Sequence, residues 1–157
     1  MVAQNIPNAV EKRDILFGVK KVTPAQLLAF AKGYEASDML NDAAEFFNQL
    51  KSTEDLRRIL LAAESEGDVF LWLKVHRWIG DASMDQAALG RCTLNAEKFG
   101  KFRYALLGHQ KLGNEKAAQA IQEQLKDDGD FQAMEEAEVF LSENPEEILD
   151  LDEESET

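Results

Sequence analysis

Three side chains in this 157-residue chain have the types for nucleophilic or acid–base chemistry near neutral pH: Cys92, His76 and His109. A thiol beside an imidazole is an activated nucleophile, because the ring takes the thiol proton. The local patterns favour a plainer reading. Cys92 lies on a stripe with Ala88 and Ala96, where cysteine acts as a small core residue. His76 stands one turn from Trp72 and two residues from Trp78, the setting of a packed polar ring. No His-Glu-x-x-His, Gly-x-Ser-x-Gly or Gly-Lys-Ser/Thr signature occurs, and no Glu-x-x-His pair of a di-iron bundle. Asp127-Asp128-Gly129-Asp130 lacks the spaced ligands and closing glutamate of an EF-hand loop, so it reads as a solvated loop. One cysteine excludes a disulfide scaffold and a cysteine-based zinc site. The expectation is therefore no catalytic residue, no metal and no cofactor. Trp72, Trp78, Phe46, Phe47, Phe70, Phe99 and Phe102 recur at helical spacing and read as core rather than as an aromatic pocket.

The elements that carry these residues read as helices only. Sustained alternation is absent, and no Asn-Gly or Asp-Gly pair joins two strand-like runs as a hairpin turn. Thr23-Pro24 marks a helix start, followed by the stripe Leu27, Phe30, Ala31, Tyr34. A second stripe runs Leu40, Ala43, Ala44, Phe47, Leu50. Ser52 to Asp55 fits a capping pattern before Leu56, Ile59, Leu60 and Ala63, and Gly67 ends that helix. Val69 to Ile79 is apolar nearly all round and belongs in the middle of the domain. Asp81 or Ser83 caps a fifth helix, which Gly100 interrupts; Phe102 to Gly113 holds a sixth, and Asn114 caps a seventh along Ala118, Ile121 and Leu125. Val10, Leu16 and Phe17 suit a short helix covering the first hairpin. Short connections force antiparallel neighbours, so the expected fold is all-α, a row of antiparallel helical hairpins.

Charge divides the chain. The formal net charge is −13, yet residues 1–125 hold 16 acids and 16 bases, while residues 126–157 hold 14 acids and one base. A neutral body thus carries an acidic tail. The expected organisation is an N-terminal extension over 1–22, a helical-hairpin domain over 23–127, and an acidic tail over 128–157 with a short helix about 131–142 before a disordered end. No concentrated basic face is present for a nucleic acid or an anionic membrane. The N-terminus lacks the basic start and apolar run of a signal peptide, which predicts a cytoplasmic chain.

Over Pro24 to Leu50 the chain resembles the tetratricopeptide repeat family, whose 34-residue helix–turn–helix unit sets small residues opposite large ones. With Pro24 first, Leu27 is fourth, Ala31 eighth, Tyr34 eleventh, Ala43 twentieth and Phe47 twenty-fourth, all fitting that size pattern. The match weakens over 53–79, where Leu60 and Trp72 replace small residues, and over 99–125, where Leu106 does. The three starts, near positions 24, 53 and 99, are unequally spaced.

The resemblance implies a short α-solenoid whose concave face holds a peptide. Its lining positions would carry Leu28, Lys32 and Glu35, then Arg57, Leu61 and Glu64, then Arg103, Leu107, Gln110 and Lys111. Lys32, Arg57, Arg103 and Lys111 would make a partly apolar basic groove suited to an acidic, aliphatic segment; the plainer alternative is ordinary solvated cations. The tail offers such a segment in Glu146 to Glu154, with Ile148, Leu149 and Leu151 as its aliphatic residues. It would fill the groove of its own body or of a second copy, making a homodimer, unless it serves only to keep the chain dispersed. The expected function is a non-enzymatic adaptor or scaffold binding a protein segment. The alternatives are a small chaperone for an exported or hydrophobic partner, and an enzyme with an unrecognised helical site.

Overall fold

The computed structural model describes residues 6–81 and 83–127. The helix expected over 131–142 and the rest of the tail lie outside the described residues. Within them the chain is all-helical: α1 (Ala9–Leu16), α2 (Pro24–Ala36), α3 (Leu40–Gln49), α4 (Thr53–Glu66), α5 (Val69–Ile79), α6 (Gln86–Lys98), α7 (Phe102–Leu112) and α8 (Glu115–Asp127).

Local chemistry accounts for the helix starts. At α2 the Thr23 hydroxyl accepts from the Gln26 N–H (3.2 Å), and the Gln26 amide oxygen accepts from the Thr23 N–H (2.9 Å), with Pro24 in the first helical position. Asn8 and Glu11 make the same reciprocal cap at α1. The Ser52–Asp55 pair forms, but as a hydroxyl-to-carboxylate bond of 2.5 Å that leaves the backbone uncapped. The α6 cap is Asp85, not Asp81 or Ser83; its carboxylate accepts from the Ala88 N–H at 3.0 Å.

The helix ends are more regular than the sequence suggested. Between α2 and α8, positive φ recurs at Asp38, Lys51, Gly67, Gly80, Gly100 and Gly113. All of these turns except that at Gly80 close with the same backbone bond, from the residue after the positive-φ position to the carbonyl five positions back. The bonds are Met39 to Tyr34, Ser52 to Phe47, Asp68 to Ala63, Lys101 to Ala96 and Asn114 to His109, all 2.8–3.0 Å. The interval from Asp38 to Lys51 recurs unchanged from Gly67 to Gly80 and from Gly100 to Gly113. A second interval is just as constant: α2 begins at Pro24, α4 at Thr53 and α6 at Gln86, each equally far ahead of Asp38, Gly67 and Gly100.

Each helix from α2 to α8 packs on the next, and α4 also packs on α6, α3 on α5, and α5 on α7. The core runs through the whole described body and includes Phe46, Phe47, Ile59, Val69, Trp72, Val75 and Leu89, all fully buried. Two aromatics expected in it are outside. Phe70 is 57 % exposed, on a side of α5 that no described neighbour covers, and Phe99, at the end of α6, is 53 % exposed with the Lys98 ammonium 5.8 Å above its ring. Of Val10, Leu16 and Phe17, only Leu16 packs against the core, beside Ile15, the buried residue of α1; Val10 and Phe17 point to solvent. No helix among the described residues is long and apolar enough to cross a membrane.

Candidate partner-binding face

The three chemistry-bearing side chains are held apart by other partners. Cys92 is fully buried with its sulfur 3.5 Å from the Ala63 carbonyl oxygen, and burial pushes its thiol up to about 12. His109 meets the Glu97 carboxylate through Nε2 and the Asn114 amide nitrogen through Nδ1, at 3.3 Å for the latter. An amide donating to Nδ1 places the ring proton on Nε2, where Glu97 accepts it. His76 stacks on Trp72 with ring centroids 5.0 Å apart. A buried thiol held as S–H is a poor nucleophile. The native chain will therefore not react with a disulfide reagent at pH 8, and one thiol will titrate once denaturant is added. Fast labelling of the native chain would contradict this burial.

The densest charge cluster is likewise paired. Lys12 reaches both Asp42 (2.5 Å) and Glu45, and Lys74 reaches Glu45 (3.0 Å) and Asn41 (2.9 Å), which ties α1, α3 and α5 together. Burial works to raise the Glu45 carboxyl, but the hydrogen bonds from Lys12 and Lys74 outweigh it and hold the group below its ordinary range. Among the described residues, no three His, Cys, Asp or Glu side chains converge as a metal site.

The proposed groove residues sort by helix. Leu28, Lys32 and Glu35 lie on α2, and Arg57, Leu61 and Glu64 on α4. Leu28 is half-buried; Lys32, Arg57 and Leu61 are exposed, Leu61 by 66 %. Arg103, Leu107, Gln110 and Lys111 lie on α7, which packs on α5, α6 and α8. The first two sets lie on helices joined through Arg58 and Glu35, and the third lies on a different helix row. The helix beside α4 is α6, whose contribution sequence reasoning missed.

Two interhelical clasps order this face. Arg58 on α4 grips the Glu35 carboxylate on α2 through Nε (2.7 Å) and a terminal nitrogen (2.8 Å). Arg91 on α6 does the same to Glu64 on α4, with Nε at 2.5 Å. The two acceptors hold the same place before their positive-φ turns, Glu35 before Asp38 and Glu64 before Gly67. The two arginines match as well, Arg58 before Gly67 and Arg91 before Gly100. Bidentate geometry fixes the lateral register of neighbouring helices more firmly than a single contact does. Asn95 donates to the Glu64 carbonyl oxygen (2.8 Å) and supports the same junction. Glu35 and Glu64 are therefore structural, not free lining residues.

Between the clasps the exposed side chains fall into line. Lys32, Leu61 and Leu94 stand at one shared register, each midway between the arginine and glutamate positions of that count. Leu94 is 61 % exposed, so α4 and α6, which pack on each other, each present a leucine to solvent. Arg57 stands beside them and reaches Asp81 at 3.6 Å, an exposed pair that a partner's carboxylate can replace at little cost. The signal that reveals Leu94 is the glutamate at 35, 64 and 97, which precedes each turn at a constant interval and sets α6 in register with α2 and α4.

No family model, curated protein or solved structure matches the chain. The face is read from its own geometry.

Proposed function

We propose that the chain is a non-enzymatic interaction module that binds an acidic, aliphatic protein segment across the α2, α4 and α6 face. Support comes from one observation above the rest: Leu61 and Leu94 lie exposed at one register on two helices packed together and clasped by Arg91 and Glu64. Exposed leucines held in fixed register cost an isolated chain solubility and give a bound one contact area. The spacing of the turns supports reading α2–α3, α4–α5 and α6–α7 as three units of a short α-solenoid. The units share their internal spacing, and only the connection between α5 and α6 is lengthened. Such stacking generates the continuous groove that an extended segment needs. Lys32 and Arg57 supply the positive charge, and Leu28, Leu61 and Leu94 the apolar floor.

A synthetic peptide with the sequence of residues 146–154 is the natural probe, since it combines both properties. Leu61→Asp and Leu94→Asp are each expected to weaken its binding about tenfold or more in a fluorescence titration, because they put a repelling charge on the floor. Unchanged affinity in both variants would contradict the reading. In the same reading the tail's own 146–154 segment competes for the face. A chain lacking residues 144–157 then binds the peptide more tightly, and the same affinity and self-association in both chains would remove the tail from the account.

A further inference from the structure

Helices α4, α6 and α8 share one burial pattern. In α4 the buried residues Leu56, Ile59 and Ala63 precede Gly67; in α6, Leu89, Cys92 and Ala96 precede Gly100 at the same three intervals. In α8 the buried residues are Ala118, Ile121 and Leu125. The same intervals point to position 129, which is a glycine. The start of α8 agrees, because Glu115 precedes position 129 by the interval that separates Thr53 from Gly67 and Gln86 from Gly100. In the earlier cases a helix begins directly beyond the turn, at Val69 and Phe102, and packs back on the helix before it. The corresponding position here is Phe131.

The next residues fit as well. Counted from the turn, α3, α5 and α7 carry Leu40, Ala43, Phe46, Leu50; Val69, Trp72, Val75, Ile79; and Phe102, Ala105, Gly108, Leu112 at matching places. The same count from Gly129 gives Phe131, Met134, Ala137 and Leu141, so an apolar or small residue stands at every place. On the described body a cleft of about 610 Å³ opens at the site such a segment would enter. Phe102, Arg103 and Tyr104 of α7 and Leu125 of α8 line it. Phe131 follows Leu125 closely enough in the chain to reach that cleft. Glu135, Glu136 and Glu138 give the segment negative charge, and the cleft sets Lys101 and Arg103 against a single acid, Asp68.

We propose that the face of α7 and α8 around this cleft is the docking surface for residues 131–141 of the same chain, and that the acidic appendage proper begins after them. This rests on the repeat spacing and is independent of what binds the α2, α4 and α6 face.

Hydrogen exchange of the full chain tests it. Phe131→Asp with Met134→Asp is expected to speed exchange of the α8 amides about tenfold, while the amides of α4 stay as they were. Ile148→Asp with Leu149→Asp is expected to leave α8 unchanged. Equal protection of α8 with and without the first pair would overturn the proposal. So would loss of protection from the second pair instead, which would make the distal tail the occupant. Peptide binding at the α2, α4 and α6 face, measured on the same variants, is expected to stay within about twofold, so failure here leaves the functional reading separately testable.

Discussion

Gly67→Ala will cost about 3–5 kcal/mol, one of the two largest single-substitution losses expected in the body, and lower Tm by about 10–20 °C. Two terms combine. Gly67 has φ +68°, where a Cβ costs about 1 kcal/mol. A Cβ there would also sit 2.3 Å from the Ala96 backbone nitrogen and 2.6 Å from its Cα. Those are main-chain atoms of α6, so no rotamer change relieves the overlap, and the α4–α5 turn must move off α6. Gly113→Ala supplies the control. Its φ is +73°, but nothing lies within 4 Å of the added carbon, so only the backbone term of about 1 kcal/mol applies. Thermal unfolding of the two variants side by side separates the terms. Equal losses would mean that α4 and α6 do not approach this closely, and the Arg91–Glu64 clasp beside that junction would lose its structural basis.

Trp72→Ala is expected to cost about 4 kcal/mol, because the largest fully buried side chain of the body leaves a void that its neighbours fill only in part. Trp72→Phe should cost far less, about 1–2 kcal/mol, because the ring keeps much of the packing and its stack on His76. The substitution also removes a buried Nε1–H that has no hydrogen-bond partner among the described residues. Denaturant unfolding with unchanged m-values checks both. If phenylalanine proves as damaging as alanine, the indole N–H is bonded after all and the centre of the core is not as described.

Much of the fold was legible from local signals. Thr23-Pro24 announced α2 because capping and proline chemistry act within one turn. Gly67, Gly100 and Gly113 marked turns because glycine takes positive φ without strain. Asp38 and Lys51 were invisible for the complementary reason: they adopt the same conformation with a Cβ, held by the surrounding helices. The lost period had a physical origin too. The connection from Gly80 to Gln86 is longer than those from Lys51 to Thr53 and from Gly113 to Glu115. That insertion hid α6 as the partner of α4, moved the third inferred unit to α7, and assigned Arg103, Leu107 and Lys111 to a face they do not share with Leu61. Trp72 misled in the same way. It stands where Ala43 and Ala105 stand in the other hairpins, so side-chain size did not reveal a repeat that the turns keep. Of the proposed face, Leu28, Lys32, Arg57 and Leu61 follow from the tetratricopeptide resemblance, whereas Leu94 and the arginine clasps required the lateral packing of helices.

Binding of an acidic, aliphatic segment by the α2, α4 and α6 face is the proposal on which the functional reading stands. Amide NMR of the full chain during titration with the peptide of residues 146–154 tests it most directly. Saturable shifts are expected to centre on Leu28, Lys32, Arg57, Leu61 and Leu94, fading as salt rises because part of the attraction is between exposed charges. Shifts centred instead on α3, α5 and α7, or none at saturating peptide, would contradict it.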